Sequence, residues 1–281
     1  MRTTELGGHS GCRILLCEME SGEVFVRKIS SGRDYNERLK AQAEKQGSYR
    51  NSTILTPRIF SVGATEDGLF YFDMEYIRGI TLAKYMEVIE VGKVRDMVET
   101  IINYVIQVLP NTKVGCEAVF RDKIDGLEKK LLLWDDDILK QAVDMLKHHS
   151  WLKFYSSPCH GDLTLENIIV KNDQLYLIDF LDSFWDSWLL DIGTLLQDVQ
   201  TLWAYRRLPE IDTNLLIRLI IFRDVLLDEL TQKVGNDFVL ESYYALLLKL
   251  VRICPYTTDR STQVFLREKI GSVIRTINEV D

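Results

Sequence analysis

Two short apolar runs, Cys12-Arg13-Ile14-Leu15-Leu16-Cys17 and Val24-Phe25-Val26-Arg27-Lys28-Ile29, flank the polar stretch Glu20-Ser21-Gly22-Glu23. β-Rich runs around a Ser-Gly turn predict a hairpin. Little sequence precedes Leu6 to Gly11 to form a full first strand. Helix-favouring residues from about Asp34 to Gln46, ended by Gly47, predict one helix. Pro57 to Gly63 and Leu69 to Tyr76 predict two further strands, joined by the turn Ala64-Thr65-Glu66-Asp67-Gly68. After Arg78-Gly79 the periodicity becomes that of packed helices, near 81–110, 117–131, 135–149, 192–206, 213–232, 237–253 and 261–279. One β signal interrupts them: Asn167-Ile168-Ile169-Val170, a turn at Lys171-Asn172-Asp173, and Gln174-Leu175-Tyr176-Leu177-Ile178. The pattern predicts an α+β protein in two lobes. Residues 1–76 form a small β-rich lobe with one helix, and residues 77–281 a larger, mainly helical lobe.

Composition narrows the partners. With 34 basic against 42 acidic side chains the net charge is −8, which argues against nucleic acid or an anionic membrane as a general partner. An apolar content of 46% with only 5 prolines is that of a packed globular chain rather than a disordered one. The five cysteines are odd in number and form no C-x-x-C pair, so reduced thiols are expected rather than disulfides or a zinc site. Met1 to Gly11 lacks the apolar core of a secretory signal, and Leu215 to Leu230 is broken by Arg218, Arg223, Asp224 and Asp228. A cytoplasmic location is expected.

The chemistry concentrates in His160-Gly161-Asp162-Leu163-Thr164-Leu165-Glu166-Asn167, followed by the second hairpin and Ile178-Asp179-Phe180. Phosphoryl transfer needs an oxygen base beside the attacking hydroxyl and oxygen ligands for Mg²⁺, because catalysis is mainly positioning and charge neutralisation. Asp162 can supply the base and Asn167, five residues on, one ligand. The hairpin returns the chain so that Asp179 can reach the same metal.

This is the D-x-x-x-x-N spacing of the kinase catalytic loop, with Ile-Asp-Phe where a kinase carries its metal-binding Asp-Phe-Gly. With Gly161 in place of the arginine of a protein kinase, the chain resembles the aminoglycoside phosphotransferase and choline kinase family, which has the protein-kinase-like fold. The resemblance implies that Lys28 reaches the α- and β-phosphates of ATP or GTP, while Arg27 projects to the other face of its strand. It implies a helix glutamate that holds Lys28; Glu37 and Glu44 are the candidates, and Glu44, sixteen residues beyond Lys28, suits the connection better. Met74-Glu75-Tyr76-Ile77 matches the hinge, so that Met74, the Glu75 carbonyl and the Ile77 amide meet the adenine. His160 is expected to brace the loop and Asp191 to hydrogen-bond its backbone. Leu6-Gly7-Gly8-His9-Ser10-Gly11 lies where the family folds a loop over the phosphates, and a plain flexible terminus is its alternative.

Asp179 is followed within twelve residues by Asp191, with no Ala-Pro-Glu segment, which leaves little room to dock a polypeptide. The acceptor implied is a small hydroxylated molecule: a sugar, an aminoglycoside or an amino alcohol. Asp182, Asp186 and Trp185, with Trp188, could form an acidic, aromatic wall for it; filling of the core between helices is the alternative for the tryptophans. A protein kinase and a nucleotide-binding pseudoenzyme are the rival functions.

Overall fold

The structure is a computed structural model, and it describes residues 1–7, 11–107, 114–132 and 134–280. Contacts group the chain into two compact units, each discontinuous in sequence: Met1–Leu82 with Asn167–Asp182, and Ala83–Glu166 with Ser183–Asp281. The sequence pattern places its break at 76/77. The contacts place the first unit's break at Leu82 and assign the second hairpin to that unit.

The first unit is built on a five-stranded antiparallel sheet of β1 (Arg2–Leu6), β2 (Arg13–Glu18), β3 (Val24–Ile29), β4 (Ile59–Ala64) and β5 (Phe70–Glu75), in the order β1-β2-β3-β5-β4. The amino terminus does form a strand, contrary to expectation. Arg2 to Leu6 pair with Glu18 to Ile14, and β2 would otherwise present a row of unpaired backbone groups. Of the glycine-rich stretch 6–11, residues 8–10 lie outside the described residues. Helix α1 (Asn36–Ser48) covers one face of the sheet, where Leu39 and Ala43 pack on Cys12, Val26, Phe72 and Met74. Strand alternation puts Lys28 on the same face as Val26 and sends Arg27 to the other. There Arg27 grips Asp73 with two bonds of 2.7 and 2.8 Å over the ring of Tyr71.

A second, three-stranded sheet belongs to the same unit: β6 (Ile80–Thr81), β7 (Ile168–Lys171) and β8 (Gln174–Leu177). Gly79 permits the first contact, because a Cβ there would collide with the Val170 carbonyl oxygen. Leu55 ties the hairpin to the chain after α1, accepting from Leu177 N–H and donating to the Leu175 carbonyl. The open end of β7–β8 is thereby fixed within this unit.

The second unit is helical: α2 (Leu82–Tyr85, beginning at the boundary), α3 (Val91–Gln107), α4 (Glu117–Leu131), α5 (Asp137–His148), α6 (Trp188–Val199), α7 (Thr213–Val234), α8 (Asp237–Ile253) and α9 (Arg260–Val280). Every residue of α6 is buried. An all-round buried helix needs neighbours on each side, and Gly193 lets α8 approach so closely that a Cβ would meet Ala245 at 2.7 Å. Among the described residues no helix is long and apolar enough to cross a membrane.

Candidate active site

In the first unit, Lys28 is 2% exposed and its ammonium donates to Asp179 Oδ1 at 2.7 Å. Ladder geometry delivers the carboxylate. Ile168 pairs with Leu177, and the Ile178 N–H bonds the Asn167 carbonyl at 3.0 Å, so Asn167 and Asp179 flank the open end of the hairpin. Asp179 then takes φ +61°, the left-handed region a non-glycine residue adopts only where its surroundings impose it. Asn167 and Asp179, at one hairpin mouth beside a lysine, carry oxygen side chains of the types that Mg²⁺ with phosphate takes. No cluster of three or more His, Cys, Asp or Glu side chains suited to a metal occurs among the described residues.

The expected partner of Lys28 is corrected. Glu44 is exposed, as is Glu37, and the side chain of α1 that reaches the lysine is Gln42, whose Oε1 lies 3.5 Å from Nζ. The buried positions of α1 are Leu39, Gln42, Ala43 and Gln46, the i, i+3, i+4, i+7 stripe of a helix packed on a sheet. Glu44, two residues past Gln42, is turned about 200° away from it. Gln42 Nε2 donates to Tyr35 Oη at 3.2 Å and Asp182 Oδ1 at 3.3 Å. Asp182, expected at an acceptor wall, is also held by Arg38 at 2.8 Å within this unit. Of the hinge residues, Met74 is buried and accepts from Gln46 Nε2 through Sδ, Glu75 N–H bonds the Arg58 carbonyl, and Ile77 is buried.

In the second unit, the loop carrying Asp162 is gripped at successive peptides. Asp191, from the first turns of α6, accepts from His160 N–H at 2.6 Å through Oδ2 and from Gly161 N–H at 2.8 Å through Oδ1. Burial pushes the Asp191 carboxyl up, and the imidazole and N–H of His160 pull the other way. Gly161 has φ +92°, which suits glycine. His160, fully buried, takes the Asp162 N–H at Nδ1, 3.3 Å away. One α6 heptad beyond Asp191, Asp198 Oδ2 accepts from Leu165 N–H at 2.7 Å. Burial raises the Asp198 carboxyl to about 7, against the pull of that N–H. From α8, Lys249 donates to the Gly161 carbonyl at 3.0 Å and stands 4.0 Å from Asp162 Oδ1.

Three of these residues carry no motif. Gln42 is traceable only to the buried stripe of α1. Asp198 shares a face with Asp191 at a seven-residue interval. Lys249 is a single cation inside Leu246-Leu247-Leu248-Lys249-Leu250-Val251.

The acceptor wall is also corrected at Trp185. Its indole N–H donates to the Phe154 carbonyl at 2.8 Å, and its ring packs against Phe120 in a cluster with Trp151, Phe154 and Phe184. It fills the core, as does Trp188, which is 1% exposed. Asp186 is half-buried and accepts from the Cys159 thiol at 3.2 Å.

The model described as the phosphotransferase enzyme family matches residues 117–221, the stretch holding Asp162, Asn167, Asp179, Asp191 and Asp198. No curated protein matches the chain in sequence. Among solved structures, the aminoglycoside phosphotransferase APH(4)-Ia is similar with a TM-score of 0.67 at 12% identity, over 98% of this chain and 93% of that one. A thermostable mutant of it, in ternary complex with AMP-PNP and hygromycin B, gives 0.66 at 13% identity, over 97% and 93%. A putative fructosamine-3-kinase from Haemophilus somnus 129PT gives 0.58 at 17% identity, over 96% and 91%. The fold is therefore that of the protein-kinase-like small-molecule phosphotransferases, and the resemblance read from the catalytic-loop motif holds at the level of fold.

Proposed function

We propose that the protein is a small-molecule kinase, moving the γ-phosphoryl group of ATP or GTP to a hydroxyl of a sugar, aminoglycoside, amino alcohol or related acceptor. The observation that carries this reading is the meeting of Lys28 with Asp179 at 2.7 Å at the mouth of the β7–β8 hairpin, beside Asn167. In this reading Lys28 binds the α- and β-phosphates, Met74, Glu75 and Ile77 receive the base, and Asn167 and Asp179 hold Mg²⁺. The metal supplies neutralisation of phosphate charge. Asp162 accepts the acceptor's hydroxyl proton while the new O–P bond forms and the bond from the γ-phosphorus to the bridging oxygen of the nucleoside diphosphate breaks.

His160, Asp191 and Asp198 keep the Asp162 loop in one shape, which is what near-attack geometry requires. A small acceptor is favoured by the short segment 181–187 between Asp179-Phe180 and α6. It is favoured also by the similar structures, one of which binds hygromycin B and another of which is named for fructosamine. None of the five cysteines, all among the described residues, is in a disulfide, the state that a reducing compartment maintains.

The test is release of ADP or GDP with Mg²⁺ across a library of sugars, amino sugars and amino alcohols, with Asp162→Asn as control. Acceptor-dependent release that falls roughly 100-fold or more in the variant is expected. Equal release from both proteins removes the role of Asp162. Tight nucleotide binding without transfer to any acceptor turns the assignment to a nucleotide-sensing protein.

A further inference from the structure

Lys249 sits in the middle of α8, and only 6% of it is exposed. Its helical neighbours Leu246, Leu247, Leu248, Leu250 and Val251 are all fully buried. Removing an ammonium from water is costly unless charge and hydrogen bonds replace the hydration. Burial accordingly pulls the Lys249 amine below its ordinary value, and Asp162 is the largest influence in the opposite direction. The fold uses this position for contacts to the Asp162 loop: 3.0 Å to the Gly161 carbonyl and 4.0 Å to Asp162 Oδ1. The charged and titratable groups around it are Asp162 and Cys159 on the loop segment, Asp191 on α6 and Arg252 one turn along α8.

Gly161 is thus held from two helices, its N–H by Asp191 of α6 and its carbonyl by Lys249 of α8. These are the two helices whose close approach Gly193 permits. Any shift of α8 would move the residue that carries the base. A lysine that served packing alone would not need its head group directed at the loop.

We propose that Lys249 is a positioning residue of the phosphotransfer site, clamping the Gly161 peptide and orienting the Asp162 carboxylate toward the acceptor hydroxyl. The proposal rests on the assignment of Asp162 as the base. It assigns Lys249 no contact with nucleotide or acceptor, so its removal acts on turnover and not on donor binding.

The test measures Mg²⁺-dependent nucleotide turnover, with an acceptor from the library and with water as the slow acceptor, for Lys249→Met, Lys249→Gln, Lys249→Arg and the double variant with Asp162→Asn. Lys249→Met is expected to lower kcat roughly 30-fold, part of the hundredfold or more that a positioned base contributes, with the nucleotide KM changed less than about twofold. Lys249→Gln keeps a donor for the Gly161 carbonyl without the charge and lies between Met and the wild type. Lys249→Arg restores most of kcat. Adding Lys249→Met to Asp162→Asn costs nothing further, since both act through one group.

Wild-type kcat in folded Lys249→Met, or full multiplicative loss in the double variant, overturns the proposal. If Lys249→Met does not fold, Lys249→Gln decides by the same criteria. Loss in Asp162→Asn with none at position 249 defeats this inference alone, whereas undiminished turnover in Asp162→Asn defeats the assignment of the base.

Discussion

Lys28 and Asp179, 151 positions apart in the chain, meet at 2.7 Å, with the lysine buried and the carboxylate 28% exposed. The residue of α1 beside this pair is a neutral amide, Gln42. The charge balancing Lys28 here therefore comes from the group that the proposed function assigns to the metal. Under the proposed function, Asn167 and Asp179 would hold the metal, which would neutralise phosphate charge, and Lys28 would be left to the phosphates.

The identity of that partner is testable by stability. In Gln42→Leu the acceptor facing Lys28 Nζ and the donor facing Asp182 Oδ1 and Tyr35 Oη are both lost. A loss of about 1–2 kcal/mol is expected. Glu44→Ala, on the exposed face of α1, is expected to change stability by less than about 0.5 kcal/mol and to leave nucleotide affinity unchanged. Urea midpoints and calorimetric titration with nucleotide check both. A nucleotide affinity that falls on Glu44→Ala would reinstate Glu44.

Asp198 makes stability depend on pH. Its folded-state value is about 7 against an ordinary 3.8, so the folded protein retains a proton that the unfolded chain has released. This contribution is complete below about pH 3.8 and is lost as pH rises through about 7. Asp198→Asn cannot ionise and keeps an oxygen for Leu165 N–H. Between pH 5 and pH 8 the stability of the variant should rise relative to the wild type by about 2 kcal/mol. Urea unfolding at the two pH values measures it, and a constant difference would refute the assignment.

Trp185→Phe separates core from acceptor site. The substitution removes the N–H that satisfies the Phe154 carbonyl and should cost about 1–2 kcal/mol, with the acceptor KM unchanged within about twofold. A raised KM at undiminished stability would return Trp185 to the acceptor wall.

Local pattern determined most of the elements. The Ser-Gly hairpin, the first helix, the second hairpin around Asn172-Asp173 and the helices near 117–131, 135–149, 213–232, 237–253 and 261–279 lie close to their expected bounds, because turn residues and apolar periodicity act over a few positions. The run expected near 81–110 is instead two helices, Leu82–Tyr85 and Val91–Gln107, and the one expected near 192–206 is Trp188–Val199. The spacing of Asp162, Asn167 and Asp179 is readable for the same reason: it is a property of one loop and one hairpin.

The tertiary structure alone decided which residues from elsewhere meet that loop. A glutamate at the right distance from Lys28 is no guide to which face of α1 is buried, and the packing on β3 and β5 selects Gln42. Trp185 reads equally as a wall or a core residue until Phe154 and Phe120 are placed around it. Lys249 looks like an interruption in an apolar run until α8 lies against α6 and brings its ammonium to Gly161. Such partners are set by how buried faces fit across long separations in the chain, and spacing along the chain carries no record of that fit.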